Sequence, residues 1–400
     1  MVNTAGPIDV LVVGAGMYVC GKGTDGYGTI LPALFEAHRL GLVGRIQLAA
    51  TSLASAGQAL AKATALAAFM GVAPAVEIAP CTAGGAGPRS YQTLLTSSSL
   101  PQAAIVSVPD EHHFAIAGDL ISRGLHTLVV KPLAASVDEV LTLTALAREH
   151  DVYGAVEYHK RFDEANLKLL SLIRQGSLGR LLNIAINYSQ RKSIPTKAFR
   201  SWVESTDIFQ YLGVHYVDLI QFLTGAQPRQ VMAVGSKKHL IAQGINTWDT
   251  IQTLIQWRDA AGEVFLSSHL TGWVDPDSTS AMSDQRLEVI GSKGRYRSDQ
   301  KHRGVELVTD EGGVEAINPY FTQFYPTPDD TGMSAAGYGP RSVIQFIDDC
   351  GAIVRGEKKA SSLAGLRATF ASSVPVAQVI EANRQSLTTG SCWIDIEPIL

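Results

Sequence analysis

The sequence predicts an α/β chain. An N-terminal parallel sheet is covered by helices, and a C-terminal α+β half is built on a large open, mostly antiparallel sheet. Three observations predict this. Residues 8 to 158 alternate short β-branched runs with helix-length segments; after Arg161-Phe162 the strands lengthen and follow one another through tight turns; and Gly14-Ala15-Gly16 closes the first strand.

The first run, Ile8 to Val13, leads straight into that glycine turn. Further strands are expected at Ile46 to Ala50, Ala104 to Val108, Thr127 to Val130 and Gly154 to Tyr158. Between them Ile30 to Arg39, His113 to Arg123 and Val137 to Glu149 read as helices, the last with Ser136 and Glu139 as a capping box. In the second half, helices at Ala165 to Arg174 and Leu212 to Leu223 accompany strands at Leu182 to Tyr188, Gln230 to Ser236, Thr250 to Trp257, Val264 to Leu270, Gln285 to Ile290 and Gly294 to Ser298. Turns such as Asp259-Ala260-Ala261-Gly262 and Gly291-Ser292-Lys293-Gly294 join consecutive strands, which makes the sheet mostly antiparallel. Amphipathic segments Arg341 to Val354 and Leu363 to Ala382 are expected to complete its helical layer. An open sheet needs its second face covered, and a partner subunit is the simplest cover, giving a homodimer or homotetramer. The boundary falls at the Tyr158 to Arg161 junction, dividing the chain into residues 1–160 and 161–400.

Four hundred residues, 46% hydrophobic and 18% charged, suit a soluble two-domain globular protein. A formal charge of −4 with both signs dispersed offers no basic stripe for nucleic acid and no polybasic tail for a membrane, so a small molecule is the expected partner. Cys20, Cys81, Cys350 and Cys392 are widely spaced and form no CxxC pair, which fits free thiols in a reducing compartment. With no basic leader before an apolar run, and Ala63 to Val76 too short to span a bilayer, a cytoplasmic location is expected. Asp110-Glu111-His112-His113 reads as helix capping, because adjacent residues at a helix start diverge in direction, and no metal site is expected.

Four motifs carry the chemistry. Gly14 and Gly16 after a strand begin a dinucleotide fingerprint, the first permitting a tight turn and the second a close approach to pyrophosphate, with Met17 next to them. Position 19 is Val19 where GxGxxG needs glycine, and Gly21, Gly23, Gly26 and Gly28 follow, so a lengthened loop is expected before a helix starting near Thr29. A tight turn without a ligand is the competing reading. The second strand ends in Ala50-Thr51-Ser52 with no acid for a ribose hydroxyl and no arginine, while Glu36 falls inside a helix. Thr51 and Ser52 are candidates for the ribose end; NAD and NADP both stay open, and the missing acid leans toward NADP. Val108-Pro109 leads to His113, and Lys131-Pro132 fixes a cation at the end of a strand, where such sheets bind ligands. Finally, Gly213-Val214-His215-Tyr216-Val217-Asp218 places His215 and Asp218 on one helix face, with Tyr211 a turn earlier.

In this order, together with Arg161-Phe162 and Arg286 to Gly294, these motifs resemble the glucose-fructose oxidoreductase, inositol dehydrogenase and rhizopine catabolism (Gfo/Idh/MocA) family over essentially the whole chain. The resemblance implies an N-terminal Rossmann domain that binds the dinucleotide and a C-terminal domain for substrate binding and oligomerisation. It also implies a nicotinamide-dependent dehydrogenase or reductase of sugars, inositols or related polyols. The chain has Val130 where the family often has glutamate, and Tyr211 where many members have aspartate.

In that setting Lys131 would bond the reacting oxygen and His215 would act as general base, because imidazole titrates nearest operating pH. Tyr211 would bond or stack, since a phenol is a poor base at neutral pH. Without Lys131 upstream, His215 would read as a satisfied core histidine. Tyr158, Arg161, Trp202 and Asp218 are candidate substrate contacts, with His159, Lys160, Arg200 and Glu204 as softer ones. Two other functions compete: a non-catalytic dinucleotide-sensing regulator, and a glycosidase that uses transient oxidation by bound NAD.

Overall fold

The computed structural model describes residues 6–96 and 99–399. In chain order, β1 (Ile8–Val13), α1 (Met17–Cys20), α2 (Ile30–Arg39), β2 (Val43–Ala49), α3 (Leu53–Met70), β3 (Ala75–Ala79), α4 (Tyr91–Leu94), β4 (Ala103–Val106), α5 (His113–Ser122), β5 (His126–Val130), α6 (Val137–Glu149) and β6 (Gly154–Glu157) form the N-terminal half. There follow α7 (Glu164–Arg174), β7 (Leu181–Arg191), α8 (Val214–Thr224), β8 (Gln227–Ser236), β9 (Thr250–Arg258), β10 (Val264–Asp275), β11 (Ser283–Gly291) and β12 (Arg295–Asp299). Two hairpins, β13 (Val305–Thr309) with β14 (Gly313–Ile317) and β15 (Gln323–Pro326) with β16 (Met333–Ala336), precede α9 (Tyr338–Val354), α10 (Val374–Thr388) and β17 (Ile394–Asp395).

Contacts divide the chain into two units. The first holds residues up to Ala134, Asp138–Phe162 and Tyr320–Ser373; the second holds Ala135–Val137, Asp163–Pro319 and the residues from Val374 onward.

The first unit is a six-stranded parallel sheet in the order β3-β2-β1-β4-β5-β6. Val12 pairs with Leu48 on one side and Ile105 on the other, so the chain reverses direction across the sheet between β1 and β4. Strands buried on both faces explain the continuous apolar runs, and Val10, Leu11 and Val12 are all fully buried. Among the elements that the sequence does not signal are β3 and α3. β3 is an edge strand with its alternate residues exposed, and the alanine-rich α3 leads toward it through Gly71 in the left-handed conformation, so helix and strand merge into one apolar stretch.

Segment Tyr320–Ser373 belongs to this unit as well. Val343, Phe346, Ile347 and Cys350 of α9 join the core formed by β1 and α2, so this helix covers the first sheet and does not complete the layer of the second. The expected helix at Leu363 to Ala382 is also corrected. Its first part turns away from helical geometry and forms an isolated bridge to β6, where Val156 N–H donates to Ala368 O (2.8 Å) and Phe370 N–H to Gly154 O (3.1 Å); a 3-10 turn at Ala371–Ser373 follows, and the α-helix spans only Val374–Thr388. Gly365, at φ 74°, turns the chain out of helical geometry there.

The second unit is a seven-stranded sheet in the order β12-β11-β7-β10-β9-β8-β17, in which only the β7–β10 pair is parallel. Its long strands alternate: Ile251, Thr253, Ile255 and Trp257 of β9 are buried while the residues between them are not. α10 packs on β8, and α8 packs against α7 and α10. The other face carries Val264, Leu266 and Leu270 of β10 and Val234 of β8, all exposed.

Candidate active site

In the first unit every residue expected to meet a dinucleotide lies at the C-terminal edge of the parallel sheet, on the loops after β1, β2, β4 and β5 or at the first residue of the helix that follows. Gly14 has φ 120°, and a β-carbon there would lie 2.0 Å from the carbonyl oxygen of Ser107, so the residue must be glycine for the β1 and β4 loops to approach each other. Gly16 differs: a β-carbon there would meet nothing within 4 Å, which leaves open space above the turn. Together with α1, whose first residue is Met17, this open cradle fits a pyrophosphate. Gly14→Ala is therefore expected to destabilise the fold by at least ~2 kcal/mol. Gly16→Ala should keep the parent melting temperature but weaken dinucleotide binding; thermal melts and titrations of both variants check the pair.

The lengthened loop is more ordered than the sequence suggests. α1 follows the glycine turn directly, residues 21–29 loop out, and Thr29 N–H returns to the carbonyl of Tyr18 at 2.8 Å before α2 begins. Thr51 is exposed after β2, and Ser52 caps α3 by accepting from Ser55 N–H at 3.2 Å. Glu36 is buried within α2 and accepts from Ala335 N–H at 3.1 Å, a packing role.

Pro109 opens the turn Asp110–His112 into α5. His113 is buried, with Nδ1 2.7 Å from Pro132 O and Nε2 2.9 Å from Val108 O. Both ring nitrogens thus face backbone carbonyls, and the imidazole ties the β4 loop to the turn after β5. Lys131 stands in that turn, joined to Pro132 by a cis peptide and only 8% exposed. Burial lowers its pKa to about 8 against the opposing pull of Asp110 and Glu157.

Neither carboxylate stood out as a functional residue in the sequence, because the strand order that brings residue 110 and residue 157 beside residue 131 is a tertiary fact. Glu157, at the end of β6, accepts from Ser342 Oγ at 2.6 Å and lies 3.1 Å from His159 Nδ1. Burial would raise its carboxyl, but the charge of His159 and hydrogen bonds from His159, Ser342 and Tyr18 outweigh that and hold it low. Tyr18, on α1, reaches His159 Nδ1 at 3.3 Å, so the glycine loop is linked to the end of β6. Tyr158 is buried and Arg161 half-buried in the short turn that follows β6, both within the first unit.

The second unit holds Trp202, Tyr211, His215 and Asp218. The expected helix from Leu212 instead opens with a π-helical turn, Phe209–Gly213, before α8; such turns recur at functional sites. Gly213 is required by packing, since a β-carbon would lie 2.4 Å from the ring of Phe209. His215 and Asp218 are both buried on α8, and the His215 ring lies 6.4 Å from that of Tyr188, centroid to centroid. Tyr211 packs edge-on to Phe199 (5.0 Å) and Trp202 (6.2 Å) and stacks at 6.2 Å on Trp273. Arg200 and Glu204 pair with each other at 3.5 Å on the surface.

Another buried histidine of the second unit offers a contrast. His269 bonds Ser267 at 2.8 Å, and burial drives its pKa down to about 3, so it is a neutral packing group. Among the described residues no cluster of three metal-ligating side chains occurs, and no helix is long and apolar enough to cross a membrane.

Comparison with known proteins gives concordant matches for the two halves. Residues 8–158 match the family described as an oxidoreductase family with an NAD-binding Rossmann fold, and residues 166–297 match the GFO/IDH/MocA C-terminal domain. The rhizopine catabolism protein MocA of Rhizobium meliloti is 24% identical over 256 residues, which cover 62% of this chain and 78% of that protein. The myo-inositol 2-dehydrogenase of Thermotoga maritima is 26% identical over 189 residues, 47% of this chain and about half (53%) of that relative. Among solved structures, an inositol dehydrogenase homolog from Azotobacter vinelandii complexed with NADH and myo-inositol superposes with a TM-score of 0.70 at 19% identity, covering 98% of each chain.

Proposed function

Because the chain belongs to the GFO/IDH/MocA family of NAD-binding oxidoreductases, we propose that it moves a hydride between nicotinamide and the secondary alcohol carbon of a cyclitol, sugar or related polyol. The observation that carries this reading is Lys131. It is a buried ammonium at the sheet edge beside the glycine turn's loops, flanked by Asp110 and Glu157, in a chain whose relatives are named for inositol dehydrogenation.

The bound dinucleotide supplies the redox chemistry, and the residues supply position and proton transfer. Gly14, Gly16 and Met17 hold the pyrophosphate end, with Thr51 and Ser52 at the ribose and Val108 and Pro109 along the crevice. His113 acts here through the two loops it joins. Lys131 donates to the reacting oxygen and stabilises negative charge as the proton leaves. His215 takes that proton, with Asp218 on the same helix face. Tyr211 takes the place of a family carboxylate as a stacking or hydrogen-bonding group in its aromatic cluster, and Tyr158, Arg161 and Trp202 contribute to substrate binding. The missing acid after β2 favours NADP.

The open face of the second sheet supports self-association. Val264, Leu266, Leu270 and Val234 would lie between subunits of a homodimer or homotetramer. Light scattering should report a dimer or tetramer that Leu266→Glu with Leu270→Glu converts to monomer; a monomeric parent protein contradicts this. The function itself is tested by near-ultraviolet absorbance of reduced nicotinamide during a screen of inositols, hexoses, sugar acids and glycosides, with NAD and NADP supplied separately. Turnover of a polyol or sugar is expected, and release of an aglycone without net cofactor reduction would favour a transient-oxidation glycosidase instead.

A further inference from the structure

We propose that Lys22, carried by the loop of residues 21–29, is a phosphate-binding residue that selects NADP by taking its 2′-phosphate; this rests on the dinucleotide reading above. In doubly wound sheets the adenosine ribose lies at the C-terminal end of the second strand, where an acid marks NAD and a cation accommodates the phosphate. Here that end reads Thr51-Ser52, and no charged residue follows until Lys62. The positive charge comes from elsewhere in the chain.

Lys22 Nζ donates to Ser55 Oγ at 2.8 Å, one helical turn from Ser52. The lysine is exposed, and an ammonium has three donors of which Ser55 takes one. Hydroxyls of Thr51, Ser52 and Ser55 and this ammonium therefore gather at the end of β2. Beside them, the glycine-rich loop after β3 is pinned by Gly87 N–H donating to Thr51 O at 2.9 Å.

The loop that carries Lys22 is docked along α3. Lys62 of α3 donates to the carbonyls of Thr24 and Gly26, each at 2.8 Å, and its ammonium lies 5.5 Å from the centre of the Tyr27 ring. Tyr27 in turn stacks on Phe69 of α3 at 5.6 Å and meets Phe324 edge-on at 5.9 Å. Asp25 lies in the same loop, so Lys22 and Lys62 against this one carboxylate leave a net positive charge. The loop thus brings to the ribose end the cation that the sequence after β2 omits.

Calorimetric titration of the full chain with NADPH, NADH, adenosine 2′,5′-bisphosphate and AMP tests this in the parent, Lys22→Ala and Lys22→Arg. The parent should bind the bisphosphate more tightly than AMP. Lys22→Ala should weaken NADPH and the bisphosphate by about 10- to 100-fold, the worth of a charge-assisted hydrogen bond, and leave NADH and AMP within about twofold. Lys22→Arg should recover most of the loss. Equal weakening of phosphorylated and unphosphorylated ligands would show a merely structural lysine and overturn the proposal, as would unchanged NADPH affinity. A parent that binds none of the four overturns the dinucleotide reading and this proposal together; one that binds NADH and AMP as well as their phosphorylated counterparts overturns this proposal alone.

Discussion

Lys131→Met is expected to lower kcat by about 10³-fold while dinucleotide affinity stays within a few-fold of the parent, because one preorganised donor to a developing oxyanion contributes on that scale. Methionine keeps the length and apolar stem of the side chain, so packing at a position only 8% exposed is preserved. Removing the ammonium also removes the burial cost that lowers its pKa. Glu157 keeps Ser342 and His159 as partners, so the variant should fold. Protonation gives a second readout. With a pKa of about 8, Lys131 carries its charge below that pH and loses it above. The parent's kcat/KM should therefore fall on an alkaline limb near pH 8, and Lys131→Arg, whose group stays charged, should move or abolish that limb. Near-parent turnover in Lys131→Met would remove the residue from the mechanism.

His215→Ala should cost about 10² to 10⁴ in kcat, the span of a positioned general base. The residue is buried, so the truncation also risks packing against Tyr188, and His215→Gln serves as the near-isosteric companion. Both variants should bind dinucleotide as the parent does, since the glycine turn belongs to the other unit. A rate within threefold of the parent in His215→Gln would return His215 to the role that His269 has, a buried imidazole serving the core.

Local sequence made the motif-bearing elements legible because each announces itself nearby. The β-branched runs at Val10 to Val13 and Ile105 to Val108, the glycine turn and the Lys-Pro pair all depend on neighbours a few residues away. What escaped depended on distant partners. The pattern of residues 364–373 predicts a helix because nothing in it shows that Ala368 and Phe370 bond the backbone of β6. The sheet that α9 covers cannot be read from its own residues, because an amphipathic face does not name its partner. By its local pattern Asp110 is a capping residue and Glu157 an ordinary strand residue; only the strand order brings both beside Lys131. The helix expected from Leu212 hid a π-helical turn, whose extra residue changes how Tyr211 is presented relative to His215.

Isotope transfer reports hydride movement between polyol and nicotinamide without any intervening assumption about substrate affinity. A substrate from the screen, deuterated at its ring carbinol carbons, is incubated with the parent protein and oxidised cofactor, and the reduced dinucleotide is analysed by mass spectrometry. Reduced nicotinamide carrying one deuterium is expected, at a rate that collapses in Lys131→Met. Reduced cofactor without the label, or tight dinucleotide binding with no reduction by any polyol or sugar tested, would contradict that hydride movement.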